Sequence, residues 1–484
     1  MAKSRVPGTS SSAPSLSSKS VAPHPLAGDV HLLQLLNPRD LSAAARVLAQ
    51  GARLAPVLTA LGLDADVHLV GGVVRGLVLG HESTDLDIAS RLLPEEASAR
   101  CVRAGIKVVE TGLKHGTITI VLEGEHIELT TFRKPGAHHV NEYASTIEED
   151  LGGRDFTINA LALSAERFEL VDPYSGIADL ERGTLRAVGT ARDRFNEDPL
   201  RLMRMVRFGA ASGRVVESST LEAAHALAPR ILDVSPERIQ VELKRILVAQ
   251  HPASGLRQML SVGILERVLP ELLPMVGVDQ NEFHTEDVFD HTLSVLERCP
   301  PDATLRLIAL FHDAGKPATL SVGEDGRRHF YEHEMISEKL CLAAMERLKF
   351  SGEEIGNVAR VVRLHMRPID CGPPGIRRIL RDVAPYYEDW RTFKYADAPP
   401  IMADHYVKER LSQFDEMVAT ELRRREKQGT RLAISGSDLI AIGQRPGVAM
   451  GRLLKELEEL VIETPDLNTK EDLLREARKR LNLV

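Results

Sequence analysis

The stretch at residues 67–87, VHLVGGVVRGLVLGHESTDLD, restricts the fold more than any other part of the chain. A short apolar run ending at Val70 reads as a buried strand. Gly71 and Gly72 follow, a pair suited to a tight turn or to the close approach of a ligand. Val73, Val74, Leu77, Val78 and Leu79 then recur at helical spacing. After the polar break His81-Glu82-Ser83-Thr84, the segment Asp85-Leu86-Asp87-Ile88 alternates. On a strand, this sends Asp85 and Asp87 to one face and Leu86 and Ile88 to the other. Neighbouring carboxylates repel unless a cation lies between them, and a hard ion such as Mg²⁺ is the ordinary solution. A lone Asp-x-Asp is most often a pair of solvated turn acids. The strand, turn and helix just before this one favour two metal ligands beside a phosphate-approaching turn.

The rest of the chain reads as further domains. Its 484 residues are enough for about three, each with a real core. Residues 1–28 are Ser/Pro-rich, with Lys3, Arg5 and Lys19, and read as a disordered tail. Apolar residues at helical spacing between Leu32 and Leu63 predict one or two lead-in helices. Residues 94–105 read as a surface helix. Thr117–Leu122 and His126–Phe132, joined by Glu123-Gly124-Glu125, predict a β-hairpin. In its second strand, Ile127 and Leu129 share a face opposite Glu128. If that strand lies beside the Asp-Leu-Asp strand, Glu128 becomes the third carboxylate of a cluster; alone it is a solvated acid. From about residue 183 onward the pattern is long helices, with loops expected at 320–328 and 371–376.

Composition excludes some partners. Aromatics are only 4%, too few for a sheet of base-stacking rings. The net charge of −8 means that any nucleic-acid contact uses a local basic strip. Cys101, Cys299, Cys341 and Cys371 form no CxxC, which points to a reducing, cytoplasmic setting without a zinc knuckle. No apolar run approaches the ~20 residues of a membrane helix.

Several separated motifs in a fixed order carry a family resemblance. The first stretch resembles the nucleotidyltransferase superfamily that includes DNA polymerase beta. More closely, Leu69-Val70-Gly71-Gly72-Val73-Val74-Arg75 with Thr84-Asp85-Leu86-Asp87 resembles the catalytic signature of class II tRNA nucleotidyltransferases (CCA-adding enzymes) and bacterial poly(A) polymerases. Thr111–Thr117 resembles that family's flexible loop, which is associated with addition of the terminal A. Glu128–Arg133 resembles the third-carboxylate strand, Arg154–Ala160 the ribose-recognising motif, Asp172–Leu180 the head–neck hinge, and Glu197–Arg201 the motif that reads the incoming base. The region around Ser435–Leu439, with Pro446-Gly447 and Gly451, is similar to the helical tail of many bacterial members. The chain departs from the family at Gly153, where an arginine often precedes Arg154.

The resemblance implies an α/β nucleotidyltransferase head (polymerase-beta-like) followed by mostly α-helical neck, HD and tail domains. The expected bounds are 29–182, 183–265, 266–400 and 401–484. Asp85, Asp87 and Glu128 would hold Mg²⁺ ions that activate a 3′-hydroxyl and neutralise pyrophosphate. Gly71 and Gly72 amides at a helix start would face the triphosphate, with Arg75 nearby. Arg154 would meet a phosphate and Asp155 the ribose hydroxyls; a structural Arg–Asp pair is the plainer alternative. Asp198 and Arg201, three apart, would share a helical face and offer an acceptor and a donor to C and A, unless they form an ordinary ion pair. Arg204 would join the nucleotide site. Arg207, Arg238, Lys244 and Arg245 would form a cationic strip for tRNA acceptor-end phosphates, or a solvated helical face.

His291-Thr292, His312-Asp313, His333, His365 and Asp397 make a second constellation. It looks like an HD-type phosphohydrolase domain, with core ligands His291, His312, Asp313 and Asp397. A mixed imidazole and carboxylate set suits Mn²⁺, Ni²⁺ or Fe²⁺. The expected activity is template-independent addition of CCA to tRNA 3′ ends from CTP and ATP. The alternatives are A-only, CC-only or poly(A) addition, an HD phosphohydrolase with a nucleotide-binding head, or a non-catalytic tRNA-binding protein. The oligomeric state is left open.

Overall fold

The computed structural model describes residues 53–80, 86–110, 112–136, 142–280, 286–398, 406–429 and 431–482. Asp85, Thr111, the 1–28 tail and most of the lead-in segment therefore lie outside the described residues, and residues 53–61 of that segment are helical. Compactness divides the chain between Ile177 and Ala178.

The first unit is built on a seven-stranded mixed sheet. Its strands are β1 (His68–Val70), β2 (Leu86–Ser90), β3 (Lys107–Val109), β4 (Thr117–Leu122), β5 (Glu125–Thr131), β6 (Ala162–Ser164) and β7 (Leu170–Val171). Their order is β3-β4-β5-β2-β1-β6-β7. Only β2 and β5 pair in parallel; the other pairs are antiparallel. The expected hairpin is β4–β5, and it turns through Glu123 and Gly124, both at positive φ (51° and 87°). That backbone matches the twist of the flanking strands.

Register explains the alternation. Ile120 pairs with Ile127 and Ile127 with Leu86, while Ile118 pairs with Leu129 and Leu129 with Ile88. These two apolar rows are essentially fully buried. Helix Gly72–Leu79 buries Val73, Val74 and Leu77, and helix Pro94–Arg103 buries Ala97 and Cys101. The expected surface helix at 94–105 is this one, with one face against the core and the other exposed.

The second unit is helical apart from two small two-stranded sheets. Its first part packs Leu202, Met203, Met205 and Val206 of helix Arg201–Ser212 among Leu243, Ile246, Leu256 and Met259. Helices Val288–Arg298, Ala303–Phe311, His333–Arg347, Gly352–Leu364 and Tyr387–Asp397 follow. Beyond helix Tyr406–Gln428, the last helices form a separate small core of Ile434, Leu439, Leu453, Leu457, Leu473 and Ala477.

Two expected loops differ from the observed structure. Within 320–328, Ser321–Val322 pairs with Arg328–His329 as a short hairpin. Within 371–376, Pro373 opens helix Pro373–Val383. Proline's fixed φ suits the first helical position, where its missing N–H costs nothing.

Candidate active site and candidate metal centre

In the first unit the parallel register sets Asp87 directly beside Glu128, and Thr119 beside Glu128 on the other side. With Leu86 and Ile127 committed to the core, period-2 alternation sends both carboxylates to the opposite face. Asp87 is half-buried and Glu128 exposed. Acids directly across a strand pair repel, so the row suits a cation.

Gly71 precedes helix Gly72–Leu79 with φ 70° and ψ −128°. An L side chain rarely adopts that conformation, and a Cβ placed there would lie 3.7 Å from Asp87 Oδ2. The turn thus brings bare backbone and the start of a helix dipole to the carboxylate row. Gly71→Ala is expected to cost about 1–3 kcal/mol of strain and to crowd Asp87. Thermal melting would report the first effect, and nucleotide incorporation below what the melting loss explains would report the second.

Asp155 is buried, and its Oδ1 accepts from the Phe156 amide at 2.8 Å and from Asn159 Nδ2 at 2.9 Å. Asn159 in turn accepts from Arg75 Nη1. One amide side chain therefore positions both the expected ribose acceptor and the expected phosphate donor. Sequence reading missed Asn159, although it lies four residues from Asp155, the spacing of one helical turn. Arg154 lies elsewhere: its Nη2 is 2.7 Å from Oδ2 of buried Asp150, whose Oδ1 accepts from the Arg133 amide. This is the structural pair named as its alternative.

The base-reading residues, in the second unit, are arranged differently from the expectation. Asp198 is not on a helix with Arg201: it has extended backbone (φ −142°, ψ 99°) at the end of helix Ala191–Glu197, and Arg201 begins the next helix. Pro199 is the cause, since a residue before proline is pushed out of the α region. Asp198 pairs with Arg238 Nη2 at 2.8 Å, and Arg201 with Glu197 at 3.0 Å.

The cationic strip is largely matched by acids. Glu242 is buried at 2% exposure, with Arg207 Nε at 2.6 Å, Arg245 Nη1 at 3.4 Å and Arg204 Nη1 at 3.9 Å. Lys244 pairs with Glu354. Arg207→Ala is therefore expected to cost about 3 kcal/mol of stability by leaving a buried carboxylate under-compensated, with little change in the salt dependence of tRNA binding. Denaturant titration and a salt series separate the two effects. A cleft of about 730 Å³ lined by Arg377, Arg381, Arg424, Arg425 and Arg431 offers another cationic surface, although Glu421 pairs with Arg424 and Arg425.

The HD constellation closes as a buried cluster. His291 lies in helix Val288–Arg298, His312 and His365 end helices Ala303–Phe311 and Gly352–Leu364, His333 begins helix His333–Arg347, and Asp397 ends helix Tyr387–Asp397. Carbonyls at a helix C-terminus lack intrahelical partners. His312 and His365 use them, placing Nδ1 2.8 Å from Ala309 O and 2.7 Å from Val362 O. An Nδ1–H donor leaves the Nε2 lone pair facing inward, the tautomer a metal needs.

His312 Nε2 lies 3.1 Å from Asp313 Oδ2 and 3.6 Å from Asp397 Oδ1, and His291 Nε2 lies 3.5 Å from Asp397 Oδ1 and 3.7 Å from Asp313 Oδ2. His312 Nε2 is nevertheless buried without a properly aligned hydrogen bond. An orphaned imidazole nitrogen among carboxylates fits a transition-metal ligand set. The four expected ligands are thus brought together. Burial pushes the Asp313 carboxyl up, yet His312 and Lys316 outweigh it and hold it well below the usual carboxylate range. For His312, burial pushes the imidazole down, but Asp313 and Asp397 bring it above its ordinary value. His365, buried and beside His312, is pushed down to about 3 and stays neutral.

Lys316, unremarked in the sequence, places Nζ 2.7 Å from Asp313 Oδ2 and 2.6 Å from Gln280 Oε1. Gly315 permits this loop: a Cβ there would meet His333 O at 2.2 Å.

Comparisons with known proteins agree with these two centres. Residues 67–186 match the poly(A) polymerase head domain model, 215–275 the model of the probable RNA- and SrmB-binding site of polymerase A, and 284–398 the HD domain model. The chain is 31% identical over 408 residues to an A-adding tRNA nucleotidyltransferase of Deinococcus radiodurans, covering 81% of this chain and 90% of that protein. It is 39% identical over 221 residues to a CCA-adding enzyme of Lactiplantibacillus plantarum, covering 44% of this chain and about half, 52%, of that relative. The CCA-adding enzyme of Bacillus stearothermophilus, solved with CTP, superposes with a TM-score of 0.65 at 23% identity, over 90% of this chain and 99% of that one. That likeness extends the shared fold along nearly the whole chain. No helix among the described residues is long and apolar enough to cross a membrane.

Proposed function

Since the chain belongs to the class II tRNA nucleotidyltransferase and bacterial poly(A) polymerase family, with an HD domain, we propose that it completes the CCA end of tRNA from CTP and ATP. The reading rests on Glu128 standing beside Asp87 across β2 and β5, next to the Gly71 turn. Asp85, Asp87 and Glu128 would hold Mg²⁺, which lowers the pKa of the attacking 3′-hydroxyl and neutralises the departing pyrophosphate. The Gly71 and Gly72 amides receive the triphosphate at the helix start. Arg75 turns toward the same phosphates from its Asn159 partner. Asp155, locked by Asn159 and the Phe156 amide, accepts from the ribose hydroxyls.

In the neck, Asp198 and Arg201 present an acceptor and a donor to the base from two successive elements, and Arg204 lies one helical turn further on. Each must exchange its present partner for the nucleotide. Arg238, Lys244 and Arg245 contribute to the tRNA surface only as those ion pairs open. Residues 183–265 serve as the neck, 266–400 as the HD domain, and 401–484 as the tRNA-binding tail. The HD cluster, holding Mn²⁺, Ni²⁺ or Fe²⁺ through His291, His312, Asp313 and Asp397, suits hydrolysis of a phosphate ester.

A-only addition is the second reading, favoured by the long match to an A-adding relative. Transcripts ending before C, after C and after CC, each given Mg²⁺ with CTP, ATP or both, test the choice on a sequencing gel. Growth of all three to CCA, lost in Asp85→Ala/Asp87→Ala, is the expected result. Addition of A only to the CC-ending transcript would replace it with the second reading, and no addition would overturn both.

A further inference from the structure

The HD core holds more converging ligand atoms than one cation uses. Asp313 presents Oδ2 to His291 and His312, and turns Oδ1 the other way. There it lies 3.2 Å from His333 Nε2 and 3.8 Å from His365 Nε2. The two Nε2 atoms are 3.2 Å apart. Each ring sets its Nδ1 2.7 Å from a backbone carbonyl, His333 at Phe330 and His365 at Val362.

A neutral imidazole has one N–H. With that hydrogen committed to Nδ1, two nitrogen lone pairs and a carboxylate oxygen face one another. Asp313, His333 and His365 are all at 3% exposure or less. The nearby Lys316 ammonium faces the other oxygen, Oδ2, at 2.7 Å. Three buried acceptors pointed at one place are costly unless a proton or a cation lies among them.

We infer that Asp313 Oδ1, His333 Nε2 and His365 Nε2 form a second divalent-cation position, joined through Asp313 to the first. The three ligand atoms lie within 4.8 Å of one another, as do those of His291, His312 and Asp397. Two imidazoles and one carboxylate select a transition ion, such as Mn²⁺, Fe²⁺, Co²⁺ or Ni²⁺, over Ca²⁺ or Mg²⁺. Each three-ligand set leaves coordination positions open. A phosphate group spanning two such ions is the anion this arrangement takes, as in two-metal phosphoesterases. The inference is independent of the head's activity, and it rests on the first HD position also being a metal site.

The competing occupant is a single proton, which would make His333 an imidazolium between Asp313 and His365. Full-length chain carrying Asp87→Ala/Glu128→Ala, to remove the head's contribution, is stripped with chelator and brought to equilibrium dialysis against micromolar Mn²⁺. Bound metal is counted by mass spectrometry, and the same sample is examined by low-temperature electron paramagnetic resonance. The expected result is two Mn²⁺ per chain with an exchange-coupled spectrum, falling to one with an isolated six-line spectrum in His365→Gln. One Mn²⁺ per chain with the isolated spectrum in the parent would overturn the second position and leave the first. No bound Mn²⁺ would overturn both. The parent's count and spectrum decide the matter even if the His365 variant fails to fold.

Discussion

Replacing Asp87 by asparagine is expected to reduce nucleotide addition at least ~10³-fold, equivalent to about 4 kcal/mol of transition-state stabilisation, while leaving the fold intact. Leu86 and Ile88 carry the strand's burial, and Asp87 faces the other way beside Glu128. The substitution removes a like-charge pair on neighbouring strands, a repulsion of about 0.2–1 kcal/mol. The metal-free variant should therefore melt at or slightly above the parent's temperature. Addition of Mg²⁺ should stabilise the parent more than the variant, because only the parent keeps the full carboxylate set. Primer extension with parallel melts, with and without Mg²⁺, gives both readings. A variant that loses activity only in proportion to a lower melting temperature would place Asp87 in the scaffold. Glu128→Gln should behave the same way, which distinguishes a shared carboxylate row from a single essential acid.

How far the sequence carries depends on the range of the interactions involved. The pairing of β2 with β5 was legible because each strand alternates between core and acid, and a one-residue slip would bury the carboxylates. The Gly71 turn was legible for a similar local reason. Asp198 and Arg201 were misplaced because spacing alone suggested one helix, while Pro199 between them breaks it. The cationic strip read as uncompensated because Glu242, its buried counter-charge, lies 35 residues beyond Arg207 and reaches it only by the packing of two helices. His333 and His365 were visible as members of a constellation. Their assignment to one oxygen of Asp313 depends on the meeting of several helix ends, which no local pattern encodes. Asn159 was overlooked because an asparagine in a short turn normally only caps its own backbone.

The largest effect on stability is expected from Asp313→Ala. This carboxylate is buried and lies within 3.8 Å of four imidazole nitrogens and the Lys316 ammonium. Its removal leaves Lys316 with Gln280 alone and removes the main charge holding His312 above its ordinary value. Breaking such a buried network costs about 3–5 kcal/mol. The cost should vary with pH in metal-free protein, with a sign set by both groups. Asp313 has a folded pKa below its unfolded one, so its contribution is present above about pH 4 and is lost as pH falls toward the folded value. His312 has a folded pKa above its unfolded one, so its contribution is full below about pH 6.5 and is lost as pH rises through the folded value. The difference between parent and variant should therefore be greatest between about pH 4 and 6.5, narrowing on both sides. Added Mn²⁺ should reverse the alkaline narrowing for the parent alone, since a cation replaces the proton as the counter-charge of Asp313. Urea titrations at pH 4, 5.5 and 8, with chelator or with Mn²⁺, measure each term. Equal stability of the two proteins at pH 5.5 would show that Asp313 neither anchors this cluster nor bridges its two halves.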